Sequence, residues 1–276
     1  MSGRVSGAVQ YLRKLAGLSV FLGTLVLAAA GSTEAQTAQA DEPVANPSRP
    51  TVSNPATLTP LGYLQFESGV LGTGKSPDLQ SSFSLNEVIK LTVLPRLELV
   101  AGGTPFQHSR VNGFGENSVA DVAAGAQVLL FHGERAKPSI AAAYYHRAYD
   151  GGAPDLDTGS ALNSAIVLAS ADVHGFHYDA NAVFNEVTDG SVRRAQYGQT
   201  LSISHAIRGK LSGGGELWHF TQPFLHGNAV GNLWNVSYAA RKNLVFDAGF
   251  EVGLTSTSTP WEVFAGFTYL LPHRLW

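Results

Sequence analysis

From residue 61 onward, apolar and polar positions alternate along the chain. Near the C-terminus, Trp261, Val263, Ala265, Phe267, Tyr269 and Leu271 interleave with Glu262, Phe264, Gly266, Thr268 and Leu270. A strand sends successive side chains to opposite faces, so this stretch predicts one wholly apolar face and one mixed face. Eleven residues tilted by roughly 45° span the hydrocarbon core of a bilayer. The same pattern recurs up the chain. Leu64, Phe66 and Val70 oppose Gln65 and Glu67. Phe83, Leu85, Ile89, Leu91 and Val93 oppose Gln80, Ser82, Ser84, Asn86, Lys90 and Thr92. Glu87 is a misfit, a charge on the apolar face that calls for a bulge or an interfacial position.

Further dyads follow in order. Leu97, Leu99 and Ala101 flank Glu98. Val122, Ala124, Ala126, Val128 and Leu130 oppose Asp121, Gly125 and Gln127. Ile140, Ala142 and Tyr144 alternate more weakly with Ser139, Ala141 and Ala143. Ala165, Val167, Ala169 and Ala171 precede Phe176, Tyr178, Ala180, Ala182 and Phe184, whose opposite face holds His177, Asp179, Asn181 and Asn185. Tyr197, Leu201 and Ile203 oppose Gly198, Thr200, Ser202 and Ser204. A Gly-rich segment ends in Glu216, Leu217 and Trp218, and Trp234, Val236 and Tyr238 mark the next. Leu244, Phe246, Ala248, Phe250, Val252 and Leu254 then oppose Asp247, Gly249 and Glu251.

With the C-terminal stretch, these make about twelve strands. Short turns fall at Pro95, Gly133, Gly175, Gly209 and Lys242, with longer links between them, among them residues 104–118, 150–160 and 188–194. Regular short-long alternation is the signature of a transmembrane antiparallel up-and-down β-barrel, in which short turns face the periplasm and long loops face outside. The expectation for residues 61–276 is therefore an all-β barrel whose apolar rows meet lipid. A soluble periplasmic β-sandwich is the rival, but it needs a second sheet to cover those rows.

The N-terminal region supports export. Arg4, Arg13 and Lys14 precede an apolar, alanine-rich run over residues 15–31, and Ala38-Gln39-Ala40 gives a small-x-small cleavage pattern. Residues 1–40 thus read as a cleaved signal peptide, with Ala35 as a second cleavage point and a single membrane anchor as the alternative reading. No Cys stands near the site, which excludes a lipoprotein. Cleavage would remove three of 18 basic and one of 21 acidic residues, moving the formal net charge from −3 to −5. That balance leaves no basic surface for nucleic acid. Residues 41–60 contain Pro43, Pro47, Pro50, Pro55 and Pro60, which remove backbone donors and block regular elements. This extended leader either crosses the barrel lumen or trails in the periplasm.

The pattern resembles the outer-membrane barrel family named for the phenol meta-degradation pathway, described as transporter-like. The resemblance spans residues 62–269. It rests on Gly62-Tyr63-Leu64-Gln65-Phe66-Glu67-Ser68-Gly69, the Pro95-Arg96-Leu97-Glu98-Leu99 hairpin, Asp121 ahead of a strand ending in a charged turn and Pro138-Ser139, Gly215-Glu216-Leu217, and Phe246-Asp247-Ala248-Gly249. It implies a Gram-negative outer-membrane location and a role in uptake of small molecules, hydrophobic or aromatic compounds included. One departure is the C-terminus: Pro272, His273 and Arg274 separate the last strand from terminal Trp276, whereas such barrels end on an aromatic strand residue read by the assembly machinery.

The candidate lumen-lining residues are Glu67, Lys90, Glu98, Asp121, Gln127, His177, Asp179, Asn181, Glu216, Asp247, Glu251 and Glu262. They either bias a pore towards cations or polar solutes, or fill a narrow lumen by pairing with Lys90 and other cations. His177 and Asp179 are too few for a closed metal site. Alternation points His205 away from Ser202 and Ser204, so no nucleophile-base pair is legible. Gly213-Gly214-Gly215 lacks the lysine and helix of a phosphate loop, and no cofactor motif is present. Trp218, Phe220, Trp234, Trp261 and Tyr269 read as an interfacial aromatic belt. Outer-membrane lipids, the assembly machinery and an unidentified small solute are the expected partners. The functional expectation is a passive channel, with a sealed structural or adhesion barrel and a barrel enzyme as alternatives.

Overall fold

The computed structural model describes residues 43–276 apart from 76–78, 152–160 and 226. The expected signal segment and most of the acidic stretch 150–160 lie outside these residues. The strands are β1 (Leu64–Thr73), β2 (Ser81–Leu94), β3 (Leu97–Val111), β4 (Phe114–Ser118), β5 (Val122–Phe131), β6 (Ser139–Tyr149), β7 (Ala161–Val173), β8 (Phe176–Asp189), β9 (Val192–Arg208), β10 (Leu211–Thr221), β11 (Asn228–Arg241), β12 (Leu244–Gly253) and β13 (Trp261–Leu270). Every one pairs antiparallel with its neighbours, and β1 pairs with β13 as well as β2, which closes the sheet. All strands but β4 form the twelve-stranded barrel; β4 is a short ribbon folded back on the far end of β3. Closure leaves no edge, so each wall residue spends its backbone donor and acceptor on the ladder.

The register places the expected apolar rows outside and the polar rows inside. Trp261 is 50% exposed on the outer surface, whereas Glu67 on the neighbouring strand is 0% exposed within. Phe83, Ile89, Leu99, Phe184, Leu201, Trp234, Phe246, Phe250 and Val263 also face outward and exposed, while Gln65, Thr92, Gln127, Thr200 and Thr268 are buried inside. An exposed apolar surface of this extent is untenable in water. It suits acyl chains.

Two loop expectations are corrected. Residues 104–118 continue β3 and return as β4 through Asn112-Gly113, both at positive φ (51° and 85°). Asn and Gly accept that conformation readily, so they make the tight turn. Residues 188–194 likewise belong to β8 and β9, which pair out to Asp189 and Val192 across Gly190. Glu87 keeps its outward position, with no bulge beside it in β2. The irregularity lies opposite, where β3 sets two residues, Thr104 and Pro105, against the single Asn86 of β2. Proline, lacking a donor, is tolerated at such a bulge. Glu87 Oε1 accepts a hydrogen bond from Ser68 Oγ at 2.6 Å on the same face, which offsets part of its desolvation.

The two barrel ends differ in charge. The turns following β2, β5, β9 and β11 carry Arg96, Arg135, Lys137, Arg208, Lys210, Arg241 and Lys242, with Arg274 beside them and Glu134 and Asp172 as the opposing acids. The other end carries Glu116, Asp121, Asp150, Glu186 and Asp189 balanced by Lys75, Arg110, Arg147, Arg193 and Arg194 among the described residues. After β13 the tail turns back and Leu275 N donates to Gly62 O at 2.8 Å, so the strand itself stops at Leu270.

Ala265 lies midway along β13, facing outward. Ala265→Arg should destabilise the lipid-reconstituted barrel by about 2–4 kcal/mol in denaturant titrations. A rim substitution such as Leu275→Arg should have a much smaller effect.

Candidate functional site

The leader occupies the lumen. It cannot join the wall as a strand, because five prolines interrupt it and the wall's backbone groups are already paired. Its remaining amides must therefore find side-chain acceptors. Around the interior the amides of residues 46, 48, 49, 52, 53, 54, 56 and 59 do so, while that of Ala45 meets a backbone carbonyl. Ala45 N donates to Lys242 O at 2.9 Å, at the short-turn end. Asn46 and Gln65 exchange two bonds, with Asn46 N donating to Gln65 Oε1 at 2.8 Å and Gln65 Nε2 donating to Asn46 O at 2.7 Å. Ser48 N and Arg49 N both reach Glu67 Oε2 at 3.1 Å. Val52 N and Ser53 N reach the two oxygens of Glu216 at 2.7 and 2.6 Å, and Ser53 Oγ adds a third bond at 2.6 Å.

The chain then continues round the wall, past β8, β7 and β5 to β3. Asn54 N donates to Asn181 Oδ1 at 2.7 Å and Asn181 Nδ2 returns a bond to Asn54 O at 2.9 Å. Ala56 N donates to Ser170 Oγ at 2.7 Å, whose own hydroxyl proton goes to Asp179 at 2.5 Å. Gln127 Nε2 donates to Pro55 O at 3.0 Å. Thr59 N and Thr59 Oγ1 donate to Glu98 Oε2 at 2.8 and 2.5 Å. Asn46 Nδ2 finally donates to Thr57 O at 2.8 Å, closing the leader into a loop. Side-chain amides and carboxylates of the wall thus do for the leader what a neighbouring strand does for a strand.

Charge is balanced within this layer. Lys90 Nζ lies 2.5 Å from Glu67 Oε1, both buried, and also donates to Ser48 Oγ. Arg49 Nη2 lies 3.4 Å from Asp247 Oδ1. Gly69 and Gly266 face this guanidinium, and a Cβ at either would collide with it. A buried carboxylate without such partners would carry a large desolvation penalty.

Of the twelve candidates, Glu67, Lys90, Glu98, Gln127, Asp179, Asn181, Glu216 and Asp247 are gathered around the leader. His177 sits at the short-turn end between Asp172 at 2.8 Å and Asp179 at 3.2 Å. Asp121 stands apart, ahead of β5 at the long-loop rim, where it pairs with Arg147 at 3.1 Å and accepts from Gly151 N at 2.8 Å. Glu251 and Glu262 face each other across β12 and β13, both buried, above the leader. Ser202 is buried inside while His205 stacks on Phe176 outside, with ring centroids 4.5 Å apart. Among the described residues, no group of three His, Cys, Asp or Glu is placed to hold a metal.

The interior also holds an apolar wall that alternation alone did not reveal. Ala141, Ala143, Ile166 and Leu168 on β6 and β7 are buried against Ala56 of the leader. Trp218 and Phe220, expected in an outer belt, point inward and pack with Ala229, against Val52 of the leader and Val183. Their rings lie flat on the wall because β11 offers Gly231 beneath Trp218 and β9 offers Gly198 beneath Phe220; a Cβ at either glycine would fall within about 2.4 Å of the ring. Trp234 and Trp261 do lie outside, as expected. A cavity of about 300 Å³ remains between the leader and the wall from β8 to β12, lined by Arg49, Asp179, Ser202, Ser204, Lys210 and Asn235 among others.

A closed twelve-stranded wall, apolar outside and polar inside, with its lumen along the barrel axis, decides the architecture. The fold is that of the outer-membrane channels. An outer-membrane channel from Pseudomonas putida F1 superposes with a TM-score of 0.55 at 12% identity, over 77% of this chain and 96% of that one. The NanC porin gives 0.50 at 8% identity, over 75% and 98%. The KdgM porin gives 0.50 at 13%, over 74% and 98%. No family model and no curated protein matches the sequence. At these identities the likeness is one of fold.

Glu216 accepts three bonds from the leader, each charge-assisted and worth about 1.5–3 kcal/mol in isolation. Glu216→Ala should raise the rate at which a broad-specificity protease cleaves the leader by at least about tenfold, with the far-ultraviolet strand signal unchanged. Lys90→Met should lower unfolding stability by about 3–5 kcal/mol by stranding Glu67, and Lys90→Met combined with Glu67→Gln should recover part of that loss.

Proposed function

We propose that the protein is a passive outer-membrane channel for small molecules, exported by a cleaved signal and narrowed by its own leader. The observation that carries this reading is the way the leader is held. It is fastened to the wall by side chains, outside the backbone ladder, so it can leave without breaking the barrel. A lumen meant only to be filled needs no removable filling. The solute gradient supplies the driving force, because no nucleotide or energy-coupling motif is present in the sequence. The short, basic turns face the periplasm and the long-loop end faces outside, as in other barrels of this design.

Membership of the phenol meta-pathway family remains part of this proposal, supported by the motifs around Gln65-Phe66-Glu67, Glu216 and Asp247. In this chain those same positions grip the leader. Uptake of hydrophobic or aromatic compounds is supported by the inward patch of Trp218, Phe220, Ile166 and Leu168, which becomes available to a solute once Val52 and Ala56 leave it. The sealed barrel is the second reading, favoured by the continuous contact of leader and wall. Assembly machinery and outer-membrane lipids are the proposed partners.

Planar-bilayer recording separates the two readings. The wild-type protein should show small or infrequent steps. A variant lacking residues 44–57, verified as a folded barrel, should conduct several-fold more. Absence of conductance in both proteins would support the sealed barrel and overturn the channel.

A further inference from the structure

The lipid-facing surface is not evenly covered. Alanines are scattered among the bulky outward residues of several strands, but on β10 two successive outward positions, Gly213 and Gly215, carry no side chain at all. The flanking strands stay bulky, with Ile203 and Ile207 on β9 and Trp234 and Val236 on β11. The result is an apolar groove of about 690 Å³, floored by glycine and walled by those side chains. It lies in the half of the barrel nearest the basic turns, since Gly213 is the third residue of β10 after the turn at Gly209. Below the groove, exposed Arg208 pairs with outward Leu211 at the end of β9, and exposed Arg241 pairs with outward Leu244 at the end of β11.

We propose that this groove holds one acyl chain of an anionic glycerophospholipid of the periplasmic leaflet, with Arg208 and Arg241 facing its phosphate. This inference rests on the reading of the barrel as membrane-embedded. A hydrocarbon chain is the occupant that fits: apart from His205, which stacks on Phe176, the outward side chains lining the groove are apolar, its floor is bare glycine, and it opens to the bilayer. The cations at its lower end stand at the depth where a headgroup begins. Several basic residues next to a membrane surface attract anionic lipid, each by a modest increment that salt screens. Neutral phospholipid would fill the same groove with its chain and gain nothing from the cations. Charge complementarity therefore selects the anionic class.

Native mass spectrometry of the exported, full-length protein with equimolar phosphatidylglycerol and phosphatidylethanolamine of identical chains tests the idea. The wild type should retain phosphatidylglycerol over phosphatidylethanolamine on the order of tenfold. Arg208→Gln with Arg241→Gln, both exposed and outside the lumen, should bring the two lipids to near parity while total retention persists. Gly213→Leu should reduce retention of both lipids; the incoming side chain would displace only the flexible end of Ile207, whose Cδ1 lies 2.8 Å from a Cβ built there. Equal retention of the two lipids by wild type, or wild-type retention by Gly213→Leu, would overturn the proposal. Recovery of the protein from the aqueous periplasm instead of the membrane fraction would remove the underlying reading, a result distinct from lipid parity in a membrane-bound barrel.

Discussion

A closed ladder consumes every backbone donor and acceptor that the wall can offer in its own plane, and the rest of the molecule is arranged around that fact. Nothing entering the lumen can pair with the wall as a strand would. It must bond to side chains. That is why the inner face is rich in carboxylates, amides and hydroxyls, and why so many of them point at backbone N–H groups of one segment. Glu67, Glu98 and Glu216 are acceptors placed where the leader has donors. The pairs Glu67–Lys90 and Asp247–Arg49 then keep the local charge near balance.

The leader is matched to this wall from its own side. Its prolines lower the number of amides needing partners, and they prevent it from competing with β1 or β13 for pairing. Its apolar residues are few, yet Val52 and Ala56 fall against the two inward apolar clusters. Hydrogen bonds set its path and these contacts seal it. A segment with fewer prolines would leave amides unsatisfied or would invade the sheet.

Most of the barrel was legible in the sequence because period-two alternation is a direct record of which face meets which medium. β8, β12 and β13 could be read residue by residue. The failures have identifiable causes. Asn112-Gly113 is a turn signal hidden in a segment that looked too polar for a strand, since β3 there has risen beyond the apolar belt. Trp218 and Phe220 were placed by the general habit of aromatics and not by parity; counting two steps from Glu216 puts both inward. Ile166 and Leu168 sit between outward Ala165, Val167 and Ala169, and a strand apolar on both faces carries no alternation to read. The leader's path was beyond the sequence. It depends on polar side chains of β1, β2, β3, β5, β7, β8, β10 and β12, brought together only by closure.

Ala45 is bonded beside the turn at Lys242, and Pro60 passes through Gly62 into the foot of β1, so both ends of the leader emerge at one mouth. The segment enters as a bight of rope enters a ring, with neither end passed through to the far side. It can be drawn back by the opening it came from, with no unthreading and no parting of the staves. A segment of that topology could be withdrawn by a pull applied at the short-turn mouth alone.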